Sequence, residues 1–94
     1  MNSAMPRALF RMGRIVTTNT ARAQLTQSDI MTGIQRHQAG DWGDVAEPDR
    51  QANEHSLKEG HRLLSVYRAS NGVQFWIITE ADRSSSTVLL PEDY

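Results

Sequence analysis

The chain has 94 residues, enough for one small domain but too few for a Rossmann fold or a barrel of alternating strands and helices. Its formal net charge of −1 argues against a strongly basic DNA-binding protein or a strongly acidic DNA mimic, and without cysteine it has neither disulfides nor thiol chemistry. Arginines interrupt every apolar run near the N-terminus, so we expect neither a secretory signal nor a membrane span and place the protein in the cytoplasm.

Residues 1–12 are predicted to form a flexible basic arm before a single domain over 13–94. We expect the arm to be dispensable for folding, because it lacks helical or strand periodicity. The first 23 residues contain four arginines and no acid, whereas the rest of the chain has six basic and eleven acidic side chains. The four are Arg7, Arg11, Arg14 and Arg22. This segment is either a solvated tail or a surface for nucleic acid.

A short strand rich in β-branched residues is predicted at Arg14–Thr18, where it can add a fourth strand at a sheet edge. Helices then follow, and their starts are marked by a capping residue or a proline at Thr18 or Asn19, at Thr26 and at Pro48. Gly40 and Gly60 are expected to end the second and third helices. The third helix is polar on almost all sides, so it should lie on the surface.

The C-terminal third predicts a hairpin. Two β-rich runs, Arg62–Ala69 and Val73–Glu80, flank Asn71-Gly72, a pair typical of two-residue hairpin loops. That loop would place Tyr67 opposite Trp76. A third strand at Thr87–Leu90 follows the polar loop 81–86, with Val88 opposite Thr79 and Leu90 opposite Ile77. The fold class is therefore α+β, with two or three short helices followed by a three-stranded antiparallel β-meander.

Both faces of this predicted sheet are partly apolar. One face carries Leu64, Val66, Phe75, Ile77, Val88 and Leu90, and the other carries Leu63, Tyr67, Trp76, Ile78 and Leu89. The helices hold too few apolar residues to cover both faces, so we expect a homodimer formed through the second face.

A polar cluster follows the most apolar strand, and it comprises Thr79, Glu80, Asp82 and Arg83. The two carboxylates could act as acid and base, and Arg83 could bind an anion or a partner carboxylate. The competing interpretation is a turn in which Arg83 pairs locally. Because loops at strand ends often carry function, this cluster is the main candidate binding site.

Three aromatic residues are further binding candidates. Trp42 lies between Asp41 and Asp44, which could share a cation, although the visible ligands are too few for calcium and an anchored turn is favoured. Tyr67 and Trp76 could stack nucleic-acid bases, although the sheet is not basic. We therefore predict no metal and no cofactor.

Common enzyme motifs for nucleotides, dinucleotides, zinc proteases and α/β-hydrolases do not occur in the sequence. Structural or solvated roles are favoured for the histidines, which are His37, His55 and His61. In element order the chain is similar to barnase-like ribonuclease toxins. A ribonuclease of this kind, acting without metal, would draw its base and phosphate clamp from His61, Arg83, Thr79 and Thr87.

Five segments carry a resemblance that covers nearly the whole chain after residue 12. They are GRIVTT (13–18), HQAGDWGD (37–44), RQANE (50–54), FWIITEADR (75–83) and TVLLPEDY (87–94). In these segments the chain resembles a family of small proteins carried by bacterial plasmids and integrative elements. Its members are often labelled plasmid-related or as a type I restriction endonuclease subunit. The resemblance implies a mobile-element context and gives no activity. It suggests that Met12 or Met5, rather than Met1, is the biological start, with the residues before Gly13 an extension.

Three functions follow as expectations. The first is a non-enzymatic protein-interaction module, an accessory protein of mobile genetic elements directed at a protein of host defence or of the element. The second is the small metal-independent ribonuclease. The third is a nucleic-acid-binding regulator that uses the arginine-rich arm.

Overall fold

The computed structural model describes residues 7–94 and confirms the α+β class. Its elements are β1 Arg14–Thr17, α1 Asn19–Gln24, α2 Gln27–Gln38, α3 Glu47–Glu59, β2 Leu63–Arg68, β3 Gln74–Thr79, β4 Ser85–Leu89 and a 3₁₀ turn at Pro91–Asp93. Across these residues, no helix is both long and apolar enough to cross a membrane.

The four strands form one mixed sheet in the order β1-β4-β3-β2. The prediction of a three-stranded meander is incomplete, because β1 adds a fourth strand parallel to β4 while the other pairs are antiparallel. The predicted edge position of β1 is confirmed. Its ends are held by hydrogen bonds from the Arg14 amide to the Ser84 carbonyl and from the Thr18 amide to the Val88 carbonyl, both 3.0 Å.

The predicted helix boundaries are confirmed at their caps. The Thr18 hydroxyl accepts from the Ala21 amide at 3.1 Å, and the Thr26 hydroxyl accepts from the Asp29 amide at 3.0 Å. Pro48 lies in the first turn of α3, and Gly60 ends it in the left-handed conformation at φ 76°. These local signals satisfy amides and carbonyls that the helices cannot pair internally.

The predicted pairing of Tyr67 with Trp76 is wrong by one residue. Tyr67 lies opposite Phe75, because the hairpin loop has three residues, Ser70 to Gly72, closed by a 2.8 Å bond from the Ala69 amide to the Val73 carbonyl. Gly72 ends the loop in the left-handed conformation at φ 88°. Three-residue loops with a left-handed residue are the next most common hairpin connections after two-residue loops. Asp29 of α2 fixes it by accepting from the amide and hydroxyl of Ser70.

This one-residue shift reverses the two faces of β2, since strand side chains alternate. Leu63, Ser65 and Tyr67 are buried on the face that α1 and α2 cover. Leu64 and Val66, which were expected there, lie on the opposite face and are half-buried.

The predicted pairing of Val88 with Thr79 and of Leu90 with Ile77 is wrong by two residues. Val88 lies opposite Ile77, and Ser86 lies opposite Thr79. The β3–β4 turn is tighter than expected, because the Glu80 amide bonds the Ser85 carbonyl at 3.0 Å, so β4 begins before Thr87. A shift of two residues leaves Val88 on its predicted face.

The core lies between the sheet and the helices, and its buried residues are Met12, Ala21, Leu25, Ile34, Tyr67, Ala69, Phe75, Ile77, Val88 and Leu90. Two core contacts come from the segment predicted to be a flexible arm. Met12 is 6% exposed, and Phe10 packs against the cluster. Residues 1–6 of that segment lie outside the described residues.

The opposite face of the sheet is partly covered by the C-terminal segment. Tyr94 packs edge-on against Trp76 with ring centroids 5.6 Å apart, and the Arg62 guanidinium donates to the Tyr94 hydroxyl at 3.1 Å. Ile78 and Leu89 on this face are buried. Tyr67, which was expected to join them in a dimer surface, lies on the other face.

Candidate functional site

The predicted polar cluster at the end of β3 is used mainly within the fold. Arg83 adopts the left-handed conformation at φ 61°, and its two terminal nitrogens donate to four backbone carbonyls. Two of these, the carbonyls of His61 at 2.6 Å and Ser56 at 3.0 Å, lie at the end of α3. Arg83 therefore ties the β3–β4 turn to α3.

The other members of this cluster point in different directions. Glu80 forms an exposed ion pair with Arg62 at 3.3 Å, and Asp82 accepts from the Ser84 amide at 3.0 Å. Thr79 is fully buried on the helix-covered face. The structure therefore does not present these four side chains on one surface.

The candidate aromatic residues are also separated. Trp42 is 3% exposed and donates its indole N–H to Glu54 at 2.9 Å, while Tyr67 is 2% exposed and donates to the Asp41 carbonyl at 2.6 Å. Trp76 is half-buried on the opposite face of the sheet from Tyr67. Tyr67 and Trp76 therefore do not form a common stacking surface.

Asp41 and Asp44 are not arranged as a metal site. Asp41 forms an ion pair with Arg36 at 2.7 Å, and this partner holds the pKa of its carboxyl below the usual range. Among residues 7–94, no three histidine or acidic side chains come together as metal ligands.

The four ribonuclease candidates do not converge. His61 is exposed and stacks on His55, with centroids 5.7 Å apart. Thr87 pairs with Ile78 on the face opposite to that of buried Thr79. Arg83 is bound to carbonyls, so no surface of the described chain carries all four groups.

A buried polar chain centred on His37 was missed by the sequence analysis. Ser86 donates to the Met12 carbonyl at 2.7 Å, so its oxygen accepts from Thr79, also at 2.7 Å. Thr79 then accepts from Nε2–H of His37 at 2.9 Å, and in the neutral ring Nδ1 accepts from the Ser65 hydroxyl at 2.5 Å. A neutral His37 therefore satisfies both of its ring nitrogens in this network.

The surroundings of His37 favour this neutral form. Burial, reinforced by the positive charge of Arg83, lowers the pKa of His37 from 6.5 to about 3. The rings of Phe10 and Trp42 pack edge-on against the imidazole at 5.2 and 5.6 Å, and His37 has no exposed surface. The hydrogen-bonded network around His37 is therefore buried in the core and out of contact with solvent.

An open site lies at the other end of the sheet, where a groove of about 510 Å³ separates β1 from α1 and α2. We call it the β1 groove, and its lining residues are Ile15, Thr17, Arg22, Leu25, Gln27, Ile30, Met31 and Ile34. Two apolar members face solvent to an unusual extent, since Ile15 is 46% and Met31 48% exposed. The groove is large enough for several side chains.

Beside this groove, β1 presents an open backbone edge. The amides of Arg14 and Thr18 bond β4, so alternation directs the backbone groups of Ile15 and Thr17 away from the sheet. Within residues 7–94, β1 is a terminal strand and no other strand pairs with its outer side.

The opposite sheet edge, along β2, is closed. The Asn53 side chain donates to the Leu64 carbonyl at 2.6 Å and accepts from the Leu64 amide at 3.0 Å. The Val66 amide bonds the Trp42 carbonyl, and the Val66 carbonyl accepts from the Asp44 amide at 2.7 Å. These contacts imitate a neighbouring strand, so the two edges of the sheet differ sharply.

Positive charge accompanies the open edge. Arg14 begins β1 and Arg22 lines the groove, and both are exposed. In the described part of the chain, the guanidinium groups of both residues lack ion pairs and hydrogen bonds. This arrangement was missed because the sequence does not show which helices flank β1.

No family model, curated protein or solved structure matches the chain. The function is therefore inferred from the residues and their geometry.

Proposed function

We propose that the chain is a non-enzymatic protein-interaction module that binds its partner through β1 and the β1 groove. The observation that carries the proposal is the open edge of β1 beside an apolar groove, with Ile15 and Val16 46% and 40% exposed. Proteins usually protect exposed strand edges, because an open edge templates pairing with another chain. Here Asn53 and Trp42 protect the edge of β2, whereas β1 is left open.

The biological setting is part of the same proposal: a cytoplasmic accessory protein of mobile genetic elements, directed at a protein of host defence or of the element. The resemblance of segments such as FWIITEADR (75–83) to plasmid-borne and integrative-element proteins supports it. The separation of His61, Thr79 and Thr87 favours the interaction module over the ribonuclease.

A homodimer is the competing use of an exposed surface. A dimer through the second sheet face needs that face to be bare, but Ile78 and Leu89 on it are already buried and Tyr94 packs against Trp76. We therefore propose that the principal partner is a different protein.

The test is capture of proteins from a bacterial lysate by three forms of the purified chain, followed by mass spectrometry. Met31→Glu places a charge on the groove wall, whereas Lys58→Glu changes an exposed residue of α3 that does not line the groove and serves as the matched control. We expect a protein that the wild type and Lys58→Glu retain and Met31→Glu loses. Equal retention by all three forms would contradict the proposal.

Labelled RNA and DNA, incubated with the same preparations at low and moderate salt, test the other two functions. We expect neither cleavage nor retention of the labelled RNA and DNA. Cleavage would support the ribonuclease, and salt-sensitive retention would support the nucleic-acid regulator.

A further inference from the structure

We infer that the partner of the β1 groove is an extended acidic segment that adds to the sheet as a fifth strand. This inference rests on the proposed function and specifies the chemistry of its partner. It is carried by three features of the site: the spacing of free backbone groups, the apolar lining and the unpaired arginines.

The backbone of β1 selects an extended ligand. The outward amides and carbonyls belong to Ile15 and Thr17, two residues apart and roughly 7 Å along the strand. A strand repeats its donors and acceptors at the same interval, so it can pair with both residues, whereas a helix satisfies its own backbone groups. Strand addition of this kind draws affinity from main-chain hydrogen bonds.

The groove then selects alternate side chains. Ile15 and Thr17 share the face of Ser86 and Val88, so they point toward the helices. Residues of an added strand on this face would lie against Ile30 and Met31. Every second residue of the partner should therefore be apolar.

The positive charge of the β1 edge favours acidic side chains at the other positions of the partner strand, those that face away from the groove. Arg14 pairs with Ser85 and so lies on the face away from the helices, beside the other set of partner side chains. Near the end of β1, Asp93 is held by Thr18, Thr20 and the Leu90 amide. Near its start, Asp82 accepts from the amide of Ser84, whose carbonyl bonds the Arg14 amide, and neither acid forms an ion pair with Arg14. An acidic partner side chain would supply the missing counter-charge for Arg14, and Arg22 adds positive charge at the groove wall.

The same charge disfavours a second copy of this chain. Parallel pairing of β1 with β1 of another copy would set the two Arg14 guanidinium groups beside each other. Antiparallel pairing would offer them no counter-charge, because the first 23 residues of either copy hold no acid. The acidic strand is therefore favoured over self-pairing.

The test uses a fluorescein-labelled seven-residue peptide in which valine and glutamate alternate, with binding to the full chain followed by fluorescence anisotropy. Two control peptides are matched to it. One replaces glutamate by lysine, and the other has the same composition with the glutamates contiguous. We expect the alternating acidic peptide to bind at least about tenfold more tightly than either control, and more weakly at high salt.

Two protein variants locate the binding. Arg14→Glu and Met31→Glu should each weaken binding of the acidic peptide about tenfold or more, while Lys58→Glu leaves it unchanged, all three melting near the wild type. The inference would be overturned if the acidic peptide does not bind, or if it binds no better than the lysine peptide. It would also be overturned if a single-stranded oligonucleotide displaces the peptide, or if the wild type forms a dimer that Arg14→Glu or Met31→Glu loses. If the peptide test fails but capture of a lysate protein still depends on Met31, the proposed interaction module is supported and only the acidic-strand inference is rejected.

Discussion

Arg83 lies at the strand end that the sequence favoured as a site, yet its guanidinium bonds backbone carbonyls in two separate parts of the chain. Because Ser56 lies in the last turn of α3, this cation also interacts favourably with the negative end of the helix. Sequence could predict the polar cluster but not that α3 ends within reach of it. Only the backbone carbonyls that accept from Arg83 distinguish a structural role for this residue from a binding role.

Arg83→Ala should therefore cost about 2 kcal/mol in the free energy of unfolding, because several charge-assisted hydrogen bonds are lost together. Arg68→Ala is the matched control, since Arg68 makes a single exposed bond to the Gly72 carbonyl and should cost less than about 0.5 kcal/mol. Urea unfolding of both variants measures the difference. Equal stabilities would contradict the structural role of Arg83.

His37 predicts a pH dependence of stability. Its pKa is about 3 in the folded chain against an ordinary 6.5, so the unfolded chain binds more protons between these values. The stabilisation is fully present above about pH 6.5 and is lost as the pH falls toward 3. From pH 7 to pH 5 we expect a loss of about 2 kcal/mol in the free energy of unfolding.

Urea unfolding at the two pH values tests this expectation. His37→Gln should lose most of the pH dependence, because the titrating ring is gone. His55→Gln should retain it, because His55 is exposed. A wild-type chain equally stable at pH 5 and pH 7 would contradict the buried neutral His37.

At the level of elements, the sequence predicted helices better than strand pairing. Thr18, Thr26 and Gly60 act locally, so their caps could be read directly. The three-residue hairpin loop is held by a contact between Asp29 and Ser70, 41 residues apart, which no local pattern contains. The Asn71-Gly72 pair marked the turn correctly but fitted two loop lengths, and the choice reversed the faces of β2.

The segment before β1 also gains a role from long-range contacts. A chain beginning at Gly13 loses the packing of Phe10 and Met12 and the Met12 carbonyl that Ser86 requires. We expect it to be about 2–4 kcal/mol less stable than the full chain.

A chain beginning at Arg7 keeps all of these contacts and is the matched control. Thermal or urea unfolding of both truncated forms decides the point. If the chain beginning at Gly13 is as stable as the control, the packing of Phe10 and Met12 adds nothing to stability and the arm is dispensable for folding.

At the scale of the whole molecule, the two edges of the sheet differ in how their backbone groups are satisfied. One edge is closed by Asn53 and by the backbone around Trp42, and the other, β1, stays open beside an apolar groove and unpaired arginines. The sequence already showed the strand at Arg14–Thr18 and the arginine-rich N-terminal segment. It could not show that α1 and α2 leave a groove beside the strand, because that depends on how the helices pack.

The central claim, that β1 is the binding edge, is tested most directly by amide hydrogen exchange resolved for single residues. The amides of Ile15 and Thr17 should exchange much more slowly when the alternating acidic peptide is added, while the Val16 amide, already directed toward β4, should change little. Unchanged exchange at Ile15 and Thr17, or new protection confined to the face of Trp76 and Tyr94, would contradict the claim.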